Sequence, residues 1–200
     1  MTEAQKKPAG ITPSSTVGPY FKYGLTPGGA YPVRDAFSAN VVTPDAQGER
    51  IRINGHIVDG DGKAIPDAML EIWQADSAGR YAHPRDTAMR ANTSFKGFGR
   101  ADTDAMGGFV FDTIKPGAVA GPGGKMQAPH IVMAVFARGM LRHLYTRIYF
   151  DNETANAADP ILALVPADRR GTLIAKRGTD GAYTFNIRIQ GADETVFFDL

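Results

Sequence analysis

The chain has 200 residues, 43% hydrophobic and 22% charged, with a net charge of +1 and no cysteine. That length suits one domain, or one domain with an arm, and lets about 70% of the unfolded surface be buried without staples. Balanced charge without single-sign runs argues against nucleic-acid and anionic-membrane binding, and the missing thiols exclude disulfides, thiolate zinc sites and cysteine nucleophiles.

Absent cysteine also points to a reducing compartment, so a cytoplasmic location is expected. The start MTEAQKKPAG lacks the apolar stretch of a secretory signal. No segment approaches the roughly 20 apolar residues of a membrane span. Residues 1 to 50 are rich in Gly, Pro, Ser and Thr and show little periodicity. They read as an irregular arm carrying TPSSTVGPYF. The aromatics Tyr20, Phe21, Tyr23, Tyr31 and Phe37 favour docking on another surface, since disordered tails are poor in them.

From Ile51 the pattern turns to β, and residues 51–200 are read as one domain. IRINGHIVD alternates, DGDGK (Asp59–Lys63) supplies a turn and AMLEIWQA (Ala68–Ala75) comes next, which predicts a hairpin. GFGRADTDAMGG (Gly97–Gly108) lacks the ordered acidic positions and closing Glu of a calcium loop and is read as a turn. Further strands are expected at Gly108–Ile114, His130–Ala137, Leu144–Phe150, Thr172–Arg177, Ala182–Ile189 and Thr195–Leu200. Residues 151–170 can hold one or two helical turns. Many short strands with Gly/Pro turns indicate an all-β chain, an antiparallel β-sandwich. Trp73, the single tryptophan, is expected to fill its core.

The histidines are His56, His83, His130 and His143, without HExxH or another common zinc spacing. GxSxG and Walker patterns are also absent. Taken alone, Tyr81 reads as a half-buried core tyrosine and His130 as a satisfied core histidine.

The runs LEIWQADSAGRY, FGRADTD, TIKPG, APHI, FARG, TRIYF, LIAKR and RIQGADETVFFDL, in that order, resemble the intradiol ring-cleaving dioxygenases. The match extends from the TPSSTVGPY arm to the last residue. The hairpin INGHIVDGDGKAIPDAMLEIW by itself also resembles transthyretin-like and carboxypeptidase-regulatory sandwiches, which speaks to fold only.

The resemblance implies a non-heme Fe(III) held by two Tyr and two His. A phenolate is a hard donor for a hard ferric ion, and a phenol of ordinary pKa about 10 ionises at neutral pH only beside strong positive charge. In that family a Tyr ends the GRY run, another comes after the KPG turn, and an H-x-H pair lies on one strand. An arginine three residues before the first His assists the substrate, a catechol. Here Tyr81 and His130 match the first Tyr and first His. Val119 and Val132 stand at the other two ligand positions, and Gln127 replaces the arginine. Positions i and i+2 of a strand share a face, so Val132 presents an isopropyl group where an imidazole is needed. No iron is therefore expected on this chain.

The same resemblance implies a non-catalytic α subunit, paired with a homologous β chain that carries Fe(III). Thr16, Gly18 and Pro19 of the arm would line the entrance to the partner's site. Arg138 would meet a substrate carboxylate in bidentate geometry, or else form an interface or surface ion pair. Lys176 and Arg188 read as structural. Two alternatives stay open: an independently active dioxygenase recruiting His83 or His143, and a non-enzymatic transthyretin-like interaction module.

Overall fold

The computed structural model describes residues 18, 24–26, 37–87 and 94–199. The chain is mostly β. Its strands are β1 (Arg50–Val58), β2 (Met69–Trp73), β3 (Phe98–Asp102), β4 (Gly108–Ile114), β5 (Val119–Ala120), β6 (Met126–Gln127), β7 (Ile131–Phe136), β8 (Leu144–Phe150), β9 (Ile174–Arg177), β10 (Tyr183–Thr184) and β11 (Ile187–Arg188). Among the described residues after Arg50, helical structure is confined to 3-10 turns at Pro122–Gly124, Thr154–Ala158, Leu162–Leu164 and Arg170–Leu173.

The sheet is nearly closed and barrel-like. One edge of β1 pairs antiparallel with β4, and its other edge pairs in parallel with β10 and then β11. The path continues through β9, β8, β7 and β2 to β3. β3 leads back to β4 through a tight turn in which Asp104 Oδ1 accepts from the Met106 and Gly108 amides, both at 2.8 Å.

Several expectations need correction. The sheet is mixed, because β8–β9 is parallel as well. The Asp59–Lys63 turn forms and is closed by the bridge Val58↔Ala64, but β1 does not pair with β2 and no hairpin is built. Each finds longer partners elsewhere: β4 for β1, β3 and β7 for β2. Phe98–Asp102 is a strand, not part of a turn. The predicted 182–189 strand is split into β10 and β11, and 195–200 contributes only the bridge Phe198↔Tyr145.

Strand alternation sorts residues to two faces. Ile51, Ile53, Ile57, Leu70, Ile72, Phe111, Ile131, Met133, Val135, Ile148 and Phe150 point inward and form the main core. Fully burying an aliphatic or phenyl side chain of this kind contributes about 1.5–3 kcal/mol. A smaller cluster lies outside the sheet, where Tyr149 packs on Ala128, Leu162, Val165 and Leu173. Trp73 is not in the main core. It sits on the outer face of β2, half-buried.

Residues 37–49 run along this same sheet. Val41 N donates to Asp112 O and Asp112 N to Ala39 O, and Lys115 N donates to Glu49 O. Phe37 meets Phe98 edge-on at 4.7 Å, with the Arg100 guanidinium over its ring. Thr16, Pro19 and the arm aromatics Tyr20, Phe21, Tyr23 and Tyr31 lie outside the described residues.

Candidate functional site

The outer face of β2, β7 and β8 carries the residues of interest. In register, Trp73, Val132 and Arg147 stand side by side on neighbouring strands. One row away, His130 faces Tyr149, with ring centroids 5.7 Å apart.

The loop after β2 brings in Tyr81. Asp76 folds it, its Oδ1 accepting from Ala78 N and Arg80 N and its Oδ2 from Arg80 Nε. Asp76 O accepts from Gly117 N, which fastens the loop to the KPG turn. Gly79 is required there: its φ is +76°, and an added Cβ would lie 2.0 Å from Ala118 O. The Tyr81 amide then donates to Asp86 Oδ2 at 2.6 Å. The phenol stacks on Trp73, centroids 5.9 Å apart and planes 11° off parallel.

Tyr81 and Val119 line one open cleft of about 690 Å³, together with Trp73, His83 and Asp86. Val119 is buried and pairs with Gln127 across the β5–β6 ribbon. His130 is 4% exposed and its Nδ1 contacts Ala128 O at 2.8 Å. That contact makes it a satisfied core histidine.

Arginine dominates the electrostatics. Arg147 Nη1 donates to Gln127 Oε1 at 2.7 Å and reaches Tyr149 Oη at 3.4 Å. Gln127 passes the contact on, donating through Nε2 to Ala120 O. Burial pushes the Tyr81 phenol above its ordinary value; Arg147 pulls against that shift and Asp86 adds to it. Tyr149 is pushed up to about 12, chiefly by burial. His130 is lowered to about 4, by burial first and by the Arg147 charge second.

A ferric ion needs anionic oxygen donors. The donors here are one phenol and one imidazole, with aliphatic side chains at the other two positions. The residues present do not fit the metal. Among the described residues, no group of three or more His, Asp or Glu side chains could share a metal ion either.

The His130 shift makes stability depend on pH. A histidine near 6.5 when unfolded and about 4 when folded favours its neutral form in the fold. Its contribution is complete above pH 6.5 and is lost as pH falls toward 4. Between pH 7 and pH 5 the loss should be roughly 2 kcal/mol. Urea unfolding at the two pH values checks this, and His130→Asn should flatten the difference.

The other predicted site residues fall elsewhere. Arg138 lies just after β7 and forms an ion pair with Asp67, its side chain 58% exposed. Gly18 is exposed. His83 borders the cleft, and its Nδ1 accepts from Arg85 N at 3.1 Å. His143 packs against Phe136 and Tyr145. That is the opposite end of the β7–β8 hairpin from His130, on the order of 20 Å along the strand. Arg188 reaches Asp59 O and Gly60 O, a structural role. Lys176 is exposed on β9.

Sequence reasoning missed Arg147 and Asp159. Asp159 is fully buried and accepts from Ala128 N, two residues before His130. Only β7–β8 register could have placed Arg147 beside Val132.

Residues 18–191 match the family described as Dioxygenase. Over 197 residues the chain is 49% identical to the protocatechuate 3,4-dioxygenase alpha chain of Burkholderia cepacia, covering 94% of this chain and 97% of that one. It is 36% identical over 160 residues to the beta chain from the same organism, covering 74% and 67%. Among solved structures, the dioxygenase domain of a dioxygenase–carbohydrate-binding fusion from Streptomyces sp. SirexAA-E matches with TM-score 0.58. Its identity is 27%, over 90% of this chain and 99% of that one.

Proposed function

The chain belongs to the intradiol ring-cleavage dioxygenases, and we propose that it serves there as the non-catalytic α subunit of a protocatechuate 3,4-dioxygenase. One reading of the resemblance carries the proposal: the positions matching the family's second phenolate and second imidazole fall on Val119 and Val132. Ligand loss on that scale exceeds the 10–100-fold penalty for losing a supporting partner of a ligand.

Intradiol dioxygenases are non-heme iron enzymes, and similarity to both an alpha and a beta chain supports a hetero-oligomer. In this reading the homologous β subunit holds the Fe(III), which supplies the activation of the chelated catechol toward O2. The complex opens protocatechuate between its hydroxylated carbons, and both oxygen atoms enter the product, 3-carboxy-cis,cis-muconate. The αβ pairs assemble into a higher oligomer. No helix among the described residues is long and apolar enough to cross a membrane, and a cytoplasmic role in aromatic-compound catabolism fits the thiol-free composition.

The chain's own work is at the entrance. Of the arm at residues 1–50, the stretch 37–49 lies along this chain's own sheet and the part before it would dock on the partner; residues 51–200 form the barrel-like domain, with a transthyretin-like core. Thr16, Gly18 and Pro19 line the opening, where proline limits the entropy lost on ordering the loop and glycine admits backbone angles closed to other residues. Arg138 meets the substrate carboxylate. Its side chain is half exposed beside Asp67, and a guanidinium carries five N–H donors.

The purified chain should be colourless and iron-free, and with its β partner it should yield a complex that opens protocatechuate. Iron and red-brown colour in the lone chain would instead support an independent site using His83, which borders the Tyr81 cleft. Equal activity of the β chain alone would remove the entrance role. Arg138→Ala should raise KM for protocatechuate about tenfold while sparing unsubstituted catechol; equal effects on both would end its carboxylate assignment.

A further inference from the structure

We propose that the Arg147 guanidinium is the resident cation of the vestigial pocket, holding Gln127 and Tyr149 in place of a metal ion and excluding one. The proposal rests on the reading of this chain as iron-free and goes beyond it. Two missing ligands explain weak metal binding. A half-buried cation beside these positions would hold their neighbours without a metal, and predicts that restoring ligands alone cannot revive the site.

Geometry supports this. Arg147 lies directly opposite Val132 in the β7–β8 register. Cross-strand partners share a face with Cβ atoms about 4.5–5.5 Å apart, so the guanidinium projects from the position facing the lost imidazole. Its Nη1 ties Gln127 of β6 to Tyr149 of β8. Gln127 is cross-strand partner to Val119, the position of the lost phenolate. One cation therefore touches residues paired with or neighbouring both lost ligands. Tyr149 extends the chain to the buried carboxylate of Asp159, Oη to Oδ1 at 3.2 Å. The Phe198 ring covers the guanidinium, 5.8 Å from centroid to Cζ.

The family's arginine comes from the Gln127 position, whereas here the charge projects from directly opposite the lost imidazole. Gln127 stands where the family has an arginine, and here it accepts from an arginine supplied by β8. Coulomb repulsion grows with the product of charges, so a trivalent ion is disfavoured three times as strongly as a monovalent one.

Iron counting in the co-expressed αβ complex tests the proposal. V119Y/V132H should leave iron per αβ pair unchanged, and V119Y/V132H/R147Q should raise it to roughly twice that level, with added tyrosinate-to-iron colour. Equal iron in the two assembled variants, whether low or high, overturns the proposal. Iron already bound by the unaltered α chain would instead overturn the underlying reading.

A second measurement decides the matter if the restored chains fail to assemble. Arg147→Ala in the otherwise unaltered complex should lower Tm by roughly 5 °C. Methylguanidinium at millimolar concentration should recover at least half of that loss, and its neutral isostere methylurea should not. Equal rescue by both, or by neither, would show a packing role only and overturn the proposal.

Discussion

Asp159→Ala is expected to destabilise the chain by about 3–5 kcal/mol, the range for breaking a buried charged network. The carboxylate is 0% exposed. Its Oδ2 accepts from Ala128 N at 2.7 Å, and its Oδ1 from Ile161 N at 2.8 Å and Leu162 N at 2.7 Å. Tyr149 Oη adds a fourth donor at 3.2 Å. These donors come from three separate segments: the approach to β7, the 3-10 turn at Leu162–Leu164, and β8. Truncation to a methyl strands amides in a dry region, and each unsatisfied donor costs about 1–3 kcal/mol. Asp159→Asn keeps one acceptor but turns an NH2 toward an amide, so roughly half the loss should remain. Tyr149→Phe removes the longest bond and should cost about 1 kcal/mol. Urea unfolding with an unchanged m-value measures all three. A loss below about 1 kcal/mol for the alanine variant would show that Asp159 is not the tie between these segments.

Strands with alternation or a short apolar run bounded by turns were legible from sequence. β1 and most of β4 alternate because one face meets the core, whereas β7 and β8 were legible as short apolar and aromatic runs, partly covered on both faces. β3 was hidden by its glycine and arginine. Gly99 is there because the 38–41 segment crosses above it; a Cβ would lie 2.5 Å from Val41 Cγ1 and 3.1 Å from Ser38 O. That constraint is non-local, so FGRAD looks like a turn. The Asp59–Lys63 turn has correct chemistry, with Asp59 Oδ1 accepting from Asp61 N and Lys63 N. Turn chemistry does not say which strands pair afterwards, and β1 and β2 take partners far along the chain. Trp73 shows the limit of composition as a guide. Leu70 and Ile72 point inward, so period two sends Trp73 outward to stack on Tyr81.

At the site, Tyr81 and Val119 could be placed together by the two fastened loops, and His130 with Val132 by strand period. The cation between them was hidden. Arg147 sits in TRIYF, an alternating run in which any outward residue looks like a solvated one. Only pairing with β7 brings it opposite Val132. The buried Asp159 was equally silent, since DNETANAADP reads as a polar loop and its carboxylate is recruited by strands elsewhere in sequence.

Gly55→Ala is the second large effect, expected to cost about 3 kcal/mol or more through overpacking against backbone. Gly55 lies within β1 at an inward position. A Cβ there would fall 1.8 Å from Phe185 O, 2.7 Å from Phe185 C and 2.9 Å from Phe109 Cζ. The contact sits between β10 and β11, where Phe185 N donates to Asn54 O and Asn186 Oδ1 accepts from His56 N. The parallel partner of β1 is thus interrupted at Gly55, because only a bare Cα admits the Phe185 carbonyl so closely. Phe185 is 2% exposed and Phe109 is 3% exposed, so neither side can yield cheaply. Gly171→Ala serves as the control: nothing lies within 4 Å of its Cβ position, and its stability should change by less than about 0.5 kcal/mol. If Gly55→Ala unfolded at the same urea concentration as Gly171→Ala, the close approach of Phe185 to β1 would not be what divides β10 from β11.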